Sequence, residues 1–374
     1  MTLMGKVSAL EGIEMRRLRL PLVSPFRTSF GTQTTKDVLI LRAVTADAEG
    51  WGECVAAQHP LYASEYVGAA MITLRDFLVP ALRDLPAIDV NLVSAALDRF
   101  RGHRMSKAAL EMAVWDAELR GLGMPLSRAL GAVHTSVPAG VSVGIMDTLD
   151  ELVTAVGAYL ADGYRRIKLK IEPGWDVAAV RAIRDAFGDI PLQVDANAAY
   201  TLADVDQLRK LDDFDLLLIE QPMAEENVLG HAELARHLRT PICLDESITS
   251  ARAAADAIRL GACRVVNIKA GRVGGYLEAR RVHDLCQAHD VPVWCGGMVE
   301  TGLGRAANAA LAALPGMRLP GDISASSRFY HQDITPPLEL SDGYMSVPEG
   351  PGLGVTPDPE ALAAATVHTE WLPL

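Results

Sequence analysis

Five short apolar runs, each ending near a charged residue, recur at an almost constant interval through the middle of the chain. They are RRIKLKI with Lys170, PLQVDAN with Asp195, DLLLIEQP with Glu220, PICLDES with Asp245 and RVVNIKAG with Lys269, spaced 25, 25, 25 and 24 residues apart. A strand of about five residues, a helix of about twelve and two short loops add up to such a step. Each step therefore reads as one strand and one helix. The segments between the runs agree: Val177, Val180, Ile183 and Phe187 share one helical face, as do Leu202, Val205, Leu208 and Leu211. Apolar runs too continuous for a one-sided sheet, alternating with helices, call for a parallel sheet covered by helices.

Such sheets place their active sites at the C-terminal ends of the strands, where the charged residues lie. Alternation puts Lys168 and Lys170 on one face and Ile167, Leu169 and Ile171 on the other, so the lysines look inward. By the same parity Asp195 goes with Asn197, Leu218 with Glu220, Cys243 with Asp245, and Asn267 with Lys269.

A length of 374 residues suits a barrel of about 200 to 250 residues plus a second domain. VPAGVSVGI (137–145) reads as a first barrel strand, VPVWCGG (291–297) as the seventh and MRLPGDI (317–323) as the eighth. In a closed ring of eight, strands two and six are opposite. Lys170 and Lys269 then face each other across the mouth, with three carboxylates on the arc between.

Ahead of the barrel, IEMRRLRLPL, DVLILRAVTA and GWGECVAA read as antiparallel strands, the first ending at Pro21, and PLVSPFRTSFG as a loop. MSKAALEMAVWDAELRGLG (105–123) reads as a helix with a glycine stop. The Pro- and Gly-rich tail cannot supply a barrel helix and is expected to return to the first domain. The expected architecture is a TIM-like (β/α) barrel at 134–323, with an α+β capping domain at 1–133 completed by the segment 324–374.

Composition excludes several other classes. The net charge of −12, with no Lys/Arg run longer than two, gives no basic patch for nucleic acid. No apolar run approaches about 18 residues, and residues 1–20 carry Glu11, Glu14, Arg16, Arg17 and Arg19 where a signal peptide needs an apolar core. The expectation is a cytoplasmic protein without a membrane partner. Cys54, Cys243, Cys263, Cys286 and Cys295 show neither a zinc spacing nor a disulfide framework.

Three carboxylates at one depth cannot stay ionised together without a cation. Asp195, Glu220 and Asp245, all hard oxygen donors, point to Mg²⁺, with Mn²⁺ or another divalent ion as a substitute. Lys168 and Lys170 lie close enough for each charge to disfavour the other, which lowers a lysine pKa toward that of a base. Lys168 alternatively salt-bridges a metal ligand. A metal with a lysine on each side suits removal of a proton next to a carboxylate. The enediolate so formed takes a proton back from the opposite side in a racemisation, or expels a β-hydroxyl in a dehydration.

The K-x-K, D-x-N, E-Q-P, D-E and N-I-K elements in this order resemble the enolase superfamily, muconate-lactonising subgroup, for which lysine bases acting beside Mg²⁺ are a known pattern. PFRTSFGTQ, GWGECVA, GHRMSKAALEMAVWDAELR, RIKLKIEPGWD, LDES and WCGGMVETGLGRAAN resemble the N-acylamino acid racemase and o-succinylbenzoate synthase family over nearly the whole chain. The resemblance implies Asp195, Glu220 and Asp245 as Mg²⁺ ligands, Lys170 and Lys269 as the acid/base pair, a small-molecule carboxylate substrate and a homo-oligomer. The family's two activities are racemisation of N-acyl and N-succinyl amino acids and dehydration of a menaquinone precursor to o-succinylbenzoate.

Lys168, Asn197 and Glu246 are candidate supporting groups, with Glu300 and Arg305 behind them. Phe26, Phe30, Ala57, Trp294 and Met298 are expected to form an apolar substrate pocket, with Ser142 and the backbone at Gly297 holding a polar acyl end. A muconate-type cycloisomerase shares all five charged residues. A dipeptide epimerase carries Asp-x-Asp on its eighth strand where this chain has Asp322-Ile323-Ser324. A phosphosugar barrel enzyme leaves the carboxylates unexplained, and a non-enzymatic barrel predicts a broken constellation, whereas all five positions are intact.

Overall fold

A computed structural model describes residues 9–374; the first eight residues of the expected capping domain lie outside the described residues. The N-terminal part is built on a four-stranded antiparallel sheet in the order Thr366–Pro373, Leu10–Thr28, Gly31–Thr45, Glu49–Cys54. Gly12 pairs with Pro373 and Leu18 with Thr366, so the end of the chain becomes the sheet's outer strand.

The first hairpin is longer than expected. Residues 21–31 are not a loop: the strand continues to Thr28, and pairing resumes at Phe26↔Gln33 after a register break that follows Pro21↔Thr35. Pro21 and Pro25 have no N–H to give the ladder, so they force a bulge, while the partner strand runs on unbroken. The arm carries its tip over the barrel mouth. There Ile145 N–H donates to the Arg27 carbonyl at 2.9 Å, and Ser29 Oγ donates to the Ala196 carbonyl at 3.0 Å.

The helix Arg104–Gly121 lies across the strand Glu49–Cys54. Close approach requires glycine twice: a Cβ on Gly50 would stand 2.0 Å from Ala117 N, and one on Gly52 2.1 Å from the Ala109 carbonyl oxygen. The fit fixes where the third strand ends, and so where the following loop with Ala57 and Tyr62 begins.

The barrel sheet holds seven parallel strands in sequence order: Gly140–Val143, Arg166–Lys170, Leu192–Asp195, Ile219–Glu220, Ile242–Leu244, Val265–Ile268 and Val293–Cys295. The eighth strand expected at 317–323 is not one. Met317 and Gly321 make single bridges to Val293 and Ala139, the two edges of the sheet. Arg318 and Asp322 N–H donate to the carbonyls of Val293 and Cys295, and Gly140 N–H to that of Gly321. The segment closes the ring, but Pro320 cannot donate and a continuous ladder is impossible.

The first barrel strand is also shorter than 137–145. Ser136–Pro138 leaves it to join a small antiparallel sheet with Tyr344–Ser346 and Leu340–Ser341. The tail therefore packs on the barrel as well as on the N-terminal sheet. The helices Leu149–Ala161 and Val177–Phe187 occupy the periodic segments, whereas 202–214 breaks into two 3₁₀ turns around Val205–Arg209. Among the described residues no helix is long and apolar enough to cross a membrane.

The packing at the glycines predicts that Gly52→Val overpacks the helix against the strand and lowers stability by about 1–3 kcal/mol. A thermal midpoint equal to that of the unmodified protein would contradict the close approach.

Candidate active site

Strand register sets the depth of each charged group. Lys170 pairs with Asp195 and Asp195 with Glu220, so these three stand side by side at one level. Glu220 pairs with Cys243, which places Asp245 one inward position further on. Lys170, Asp195, Glu220, Asp245 and Lys269 are all buried. Beneath them, Trp294 packs with Leu218, Cys243 and Val265 to fill the barrel interior.

The charges are paired with one another. Lys170 Nζ lies 2.6 Å from Asp195 Oδ2 and donates to Asn197 Oδ1 at 2.6 Å. Asn197 Nδ2 in turn donates to Glu246 Oε1 at 2.9 Å. On the other side Lys269 Nζ reaches Asp245 Oδ2 at 2.7 Å and the Tyr62 hydroxyl at 3.0 Å. The same hydroxyl donates to Asp245 Oδ2 at 3.0 Å and accepts from Arg272 Nε at 3.2 Å. Glu220 sits between, with Oε2 3.0 Å from Lys168 Nζ and Oε1 accepting from Asn267 Nδ2 at 2.6 Å. Gln221 Oε1 accepts from the backbone N–H of Asp245 and Ser247, tying the fourth strand end to the fifth.

Burial and neighbouring charge pull the carboxyls apart. Burial, reinforced by the Asp195 charge, pushes Glu220 up to about 7, and burial with Asp245 pushes Glu246 up to about 8. For Asp195 burial pushes up, but Lys170 and Lys168 outweigh it and hold the group below the usual carboxylate range. Lys269 and Arg272 do the same for Asp245.

Lys168 takes the alternative role, salt-bridging Glu220 at 3.0 Å and Asp195 at 3.3 Å, and not that of a base with a lowered pKa. Burial lowers its pKa, but Asp322, Glu220 and Asp195 together raise it. Its shortest partner is Asp322 Oδ2 at 2.5 Å, a residue of the closing segment whose other oxygen takes Arg166 Nη1 at 2.8 Å. Two lysines on one strand face do not reveal a carboxylate that arrives from the far end of the chain.

The donor set fits a hard divalent cation: Asp195, Glu220 and Asp245 stand on successive strands, and the buried Asp245 Oδ1 and Glu246 Oε2 accept no hydrogen bond. As they stand, these carboxylates bind lysines, and among the described residues no three potential ligands are gathered into a cluster.

A cavity of about 470 Å³ opens above, lined by Phe26, Phe30, Ala57, Asn197, Gly297 and Met298 and reached by both Lys170 and Lys269. Ser142 lines a recess of about 50 Å³ below it, where its hydroxyl has no partner. Trp294 is the exception among the expected pocket residues. It is 0% exposed and lies one layer down, with Arg166 and Lys168 over its ring at 5.0 and 4.9 Å, because inward positions alternate and its size fills the barrel core.

Glu300 accepts from the Met298 N–H at 2.8 Å, and Arg305 donates to the Glu300 carbonyl at 2.7 Å, so both hold the loop that lines the cavity. Asn197, Gln221 and Val299 on these loops have φ of 42°, 37° and 60°, a costly conformation for a β-branched valine. Tyr62, Arg272 and Asp322 were missing from the residues chosen by sequence. Arg272, three residues after Lys269 and so on the same helical turn, was the one with a readable signal.

The Enolase C-terminal domain-like family model matches residues 151–361, and the Mandelate racemase / muconate lactonizing enzyme N-terminal domain model matches 12–131. The chain is 64% identical over 364 residues to an N-succinylamino acid racemase of an Amycolatopsis species, covering 97% of this chain and 99% of the relative. It is 48% identical over 351 residues to an o-succinylbenzoate synthase of Geobacillus kaustophilus, covering 93% and 94%. A crystal structure of an enolase-superfamily member from Listeria innocua superposes with a TM-score of 0.94 at 38% identity, covering 98% and 99%.

The buried network predicts that Lys168→Met, which leaves Glu220 without its ion-pair partner, lowers stability by about 3–5 kcal/mol, with part recovered on adding Glu220→Gln. Thermal melting checks it, and a single variant as stable as the original would contradict the network.

Proposed function

The chain belongs to the enolase superfamily, in its mandelate racemase / muconate lactonizing enzyme branch, and from that premise we propose that it racemises N-succinyl and other N-acyl amino acids and acts as an o-succinylbenzoate synthase. Members of the superfamily bind a divalent metal. The observation that carries the reading is that Lys170 and Lys269 reach one cavity from strands separated by three others, those of Asp195, Glu220 and Asp245.

Asp195, Glu220 and Asp245 are the proposed ligands of Mg²⁺, or of Mn²⁺ in its place. When bound, the cation supplies Lewis acidity toward the substrate carboxylate and so acidifies the neighbouring C–H. One lysine takes the α-proton, and the other delivers a proton to the opposite face of the enediolate. Asn197, held by Glu246, orients Lys170; Tyr62 and Arg272 orient Lys269. Phe26, Phe30, Ala57 and Met298 exclude water and receive the side chain or ring. When the β-carbon carries a hydroxyl, the same carbanion expels it as water, the C–O bond breaking as a lysine ammonium returns the proton to the leaving oxygen.

A dipeptide epimerase is the weaker reading. The position of its first ammonium-binding carboxylate is Asp322, already committed to Arg166 and Lys168. Ser324 stands in place of the second.

The test is to incubate the protein with Mg²⁺ and N-succinyl-phenylalanine in D₂O and follow α-deuterium by NMR, with a chelator control. Exchange and racemisation are expected with metal only, and Lys170→Ala and Lys269→Ala should each slow racemisation by at least about 10²-fold without unfolding the protein. No exchange with either metal state would sink the proposal.

A further inference from the structure

Lys36, on the capping strand Gly31–Thr45, is 3% exposed and lines the cavity entered by Lys170 and Lys269. Its ammonium makes one hydrogen bond, to the Met298 carbonyl at 2.9 Å. An ammonium has three donors, and leaving a buried charge short of partners is costly.

Two carboxylates are near, but each is engaged elsewhere. Glu53 accepts from Thr301 Oγ1 at 2.7 Å, Thr301 N–H at 3.0 Å and Gly304 N–H at 3.0 Å. Glu300 accepts from Met298 N–H at 2.8 Å and Asn308 Nδ2 at 2.9 Å. Among the described residues neither forms an ion pair with Lys36, whereas Arg19, the other capping cation on the cavity, lies 3.6 Å from Asp37. Lys36 thus brings an under-partnered positive charge to the capping wall of the cavity, beside the apolar Phe26, Phe30 and Ala57.

We propose that Lys36 binds the distal carboxylate of the substrate's succinyl arm, and so is the residue that makes this site prefer succinyl over neutral acyl groups. The inference rests on the function proposed above and adds a specificity to it. N-succinyl amino acids and o-succinylbenzoate share one arm, –CO–CH₂–CH₂–COO⁻, although one is joined through nitrogen and the other through an aromatic ring. A single cation placed for the end of that arm serves both. The barrel lysines meet the α-carbon at one end of the cavity, and the capping domain reads the acyl group at the other.

The test compares three phenylalanine derivatives in the Mg²⁺-supplemented full-length protein: N-succinyl, N-succinamyl, in which the distal carboxylate is a neutral amide, and N-acetyl. The wild type is expected to favour N-succinyl over N-succinamyl in kcat/KM by about 10- to 100-fold, mainly through KM. Lys36→Met should collapse that ratio, in which any general loss of activity cancels, and Lys36→Arg should keep most of it. A wild type that treats N-succinyl and N-succinamyl alike overturns the assignment without any variant, as does a Lys36→Met protein that keeps the ratio. A wild type inactive on all three derivatives instead overturns the functional reading and the inference with it.

Discussion

At the barrel mouth the five charged strand-end residues are held as counter-ions of one another and of their neighbours. Asp195 is held by Lys170 and Lys168, Glu220 by Lys168, and Asp245 by Lys269 and Arg272. Removing either sign would leave groups that a low-dielectric interior cannot tolerate uncompensated. The parallel strands make the arrangement possible by presenting successive inward positions at matched heights. The closing segment completes it, since Asp322 brings Lys168 a further carboxylate and gives Arg166, over the Trp294 ring, its ion pair. The pairs also define the chemistry: each candidate acid/base lysine rests on a candidate metal ligand, so the two functions are poised by the same contacts.

The capping part supplies what the barrel lacks. The bulged hairpin reaches the third strand's loop through Ser29 and presents Phe26 and Phe30 to the cavity. Tyr62 descends further and becomes part of the ionic network itself, touching Asp245, Lys269 and Arg272. Glu53 grips the loop after the seventh barrel strand through Thr301 and Gly304. The residues proposed for substrate selection and those proposed for proton transfer therefore come from different parts of the chain but share one wall, the Gly297–Val299 loop.

The reaction centre was legible because strand alternation and a 25-residue period act locally. Lys170, Asp195, Glu220, Asp245 and Lys269 each follow an apolar run whose parity sets the side-chain direction, and all five converge. What needed long-range information was not legible. Pro21 reads as the end of a strand and Pro25 as part of a loop, and only the unbroken partner strand carries the hairpin past them. Trp294 has the right parity for the site but the wrong depth. Asp322 and Tyr62 sit in segments without periodicity, and their contacts with Lys168 and Lys269 span 154 and 207 residues of sequence (322−168 and 269−62). MRLPGDI reads as an eighth strand, but Pro320 denies it a ladder and the segment closes the ring through isolated bridges alone.

The central claim is that two lysines flank the α-carbon of one substrate above a cation held by the intervening carboxylates. A crystal structure of the protein with Mg²⁺ and an N-succinyl amino acid tests it most directly. The expected result is a cation bound by Asp195, Glu220 and Asp245, with Lys170 Nζ and Lys269 Nζ on opposite faces of the α-carbon. A cation held by other residues, or both ammonium groups on one face, would contradict it.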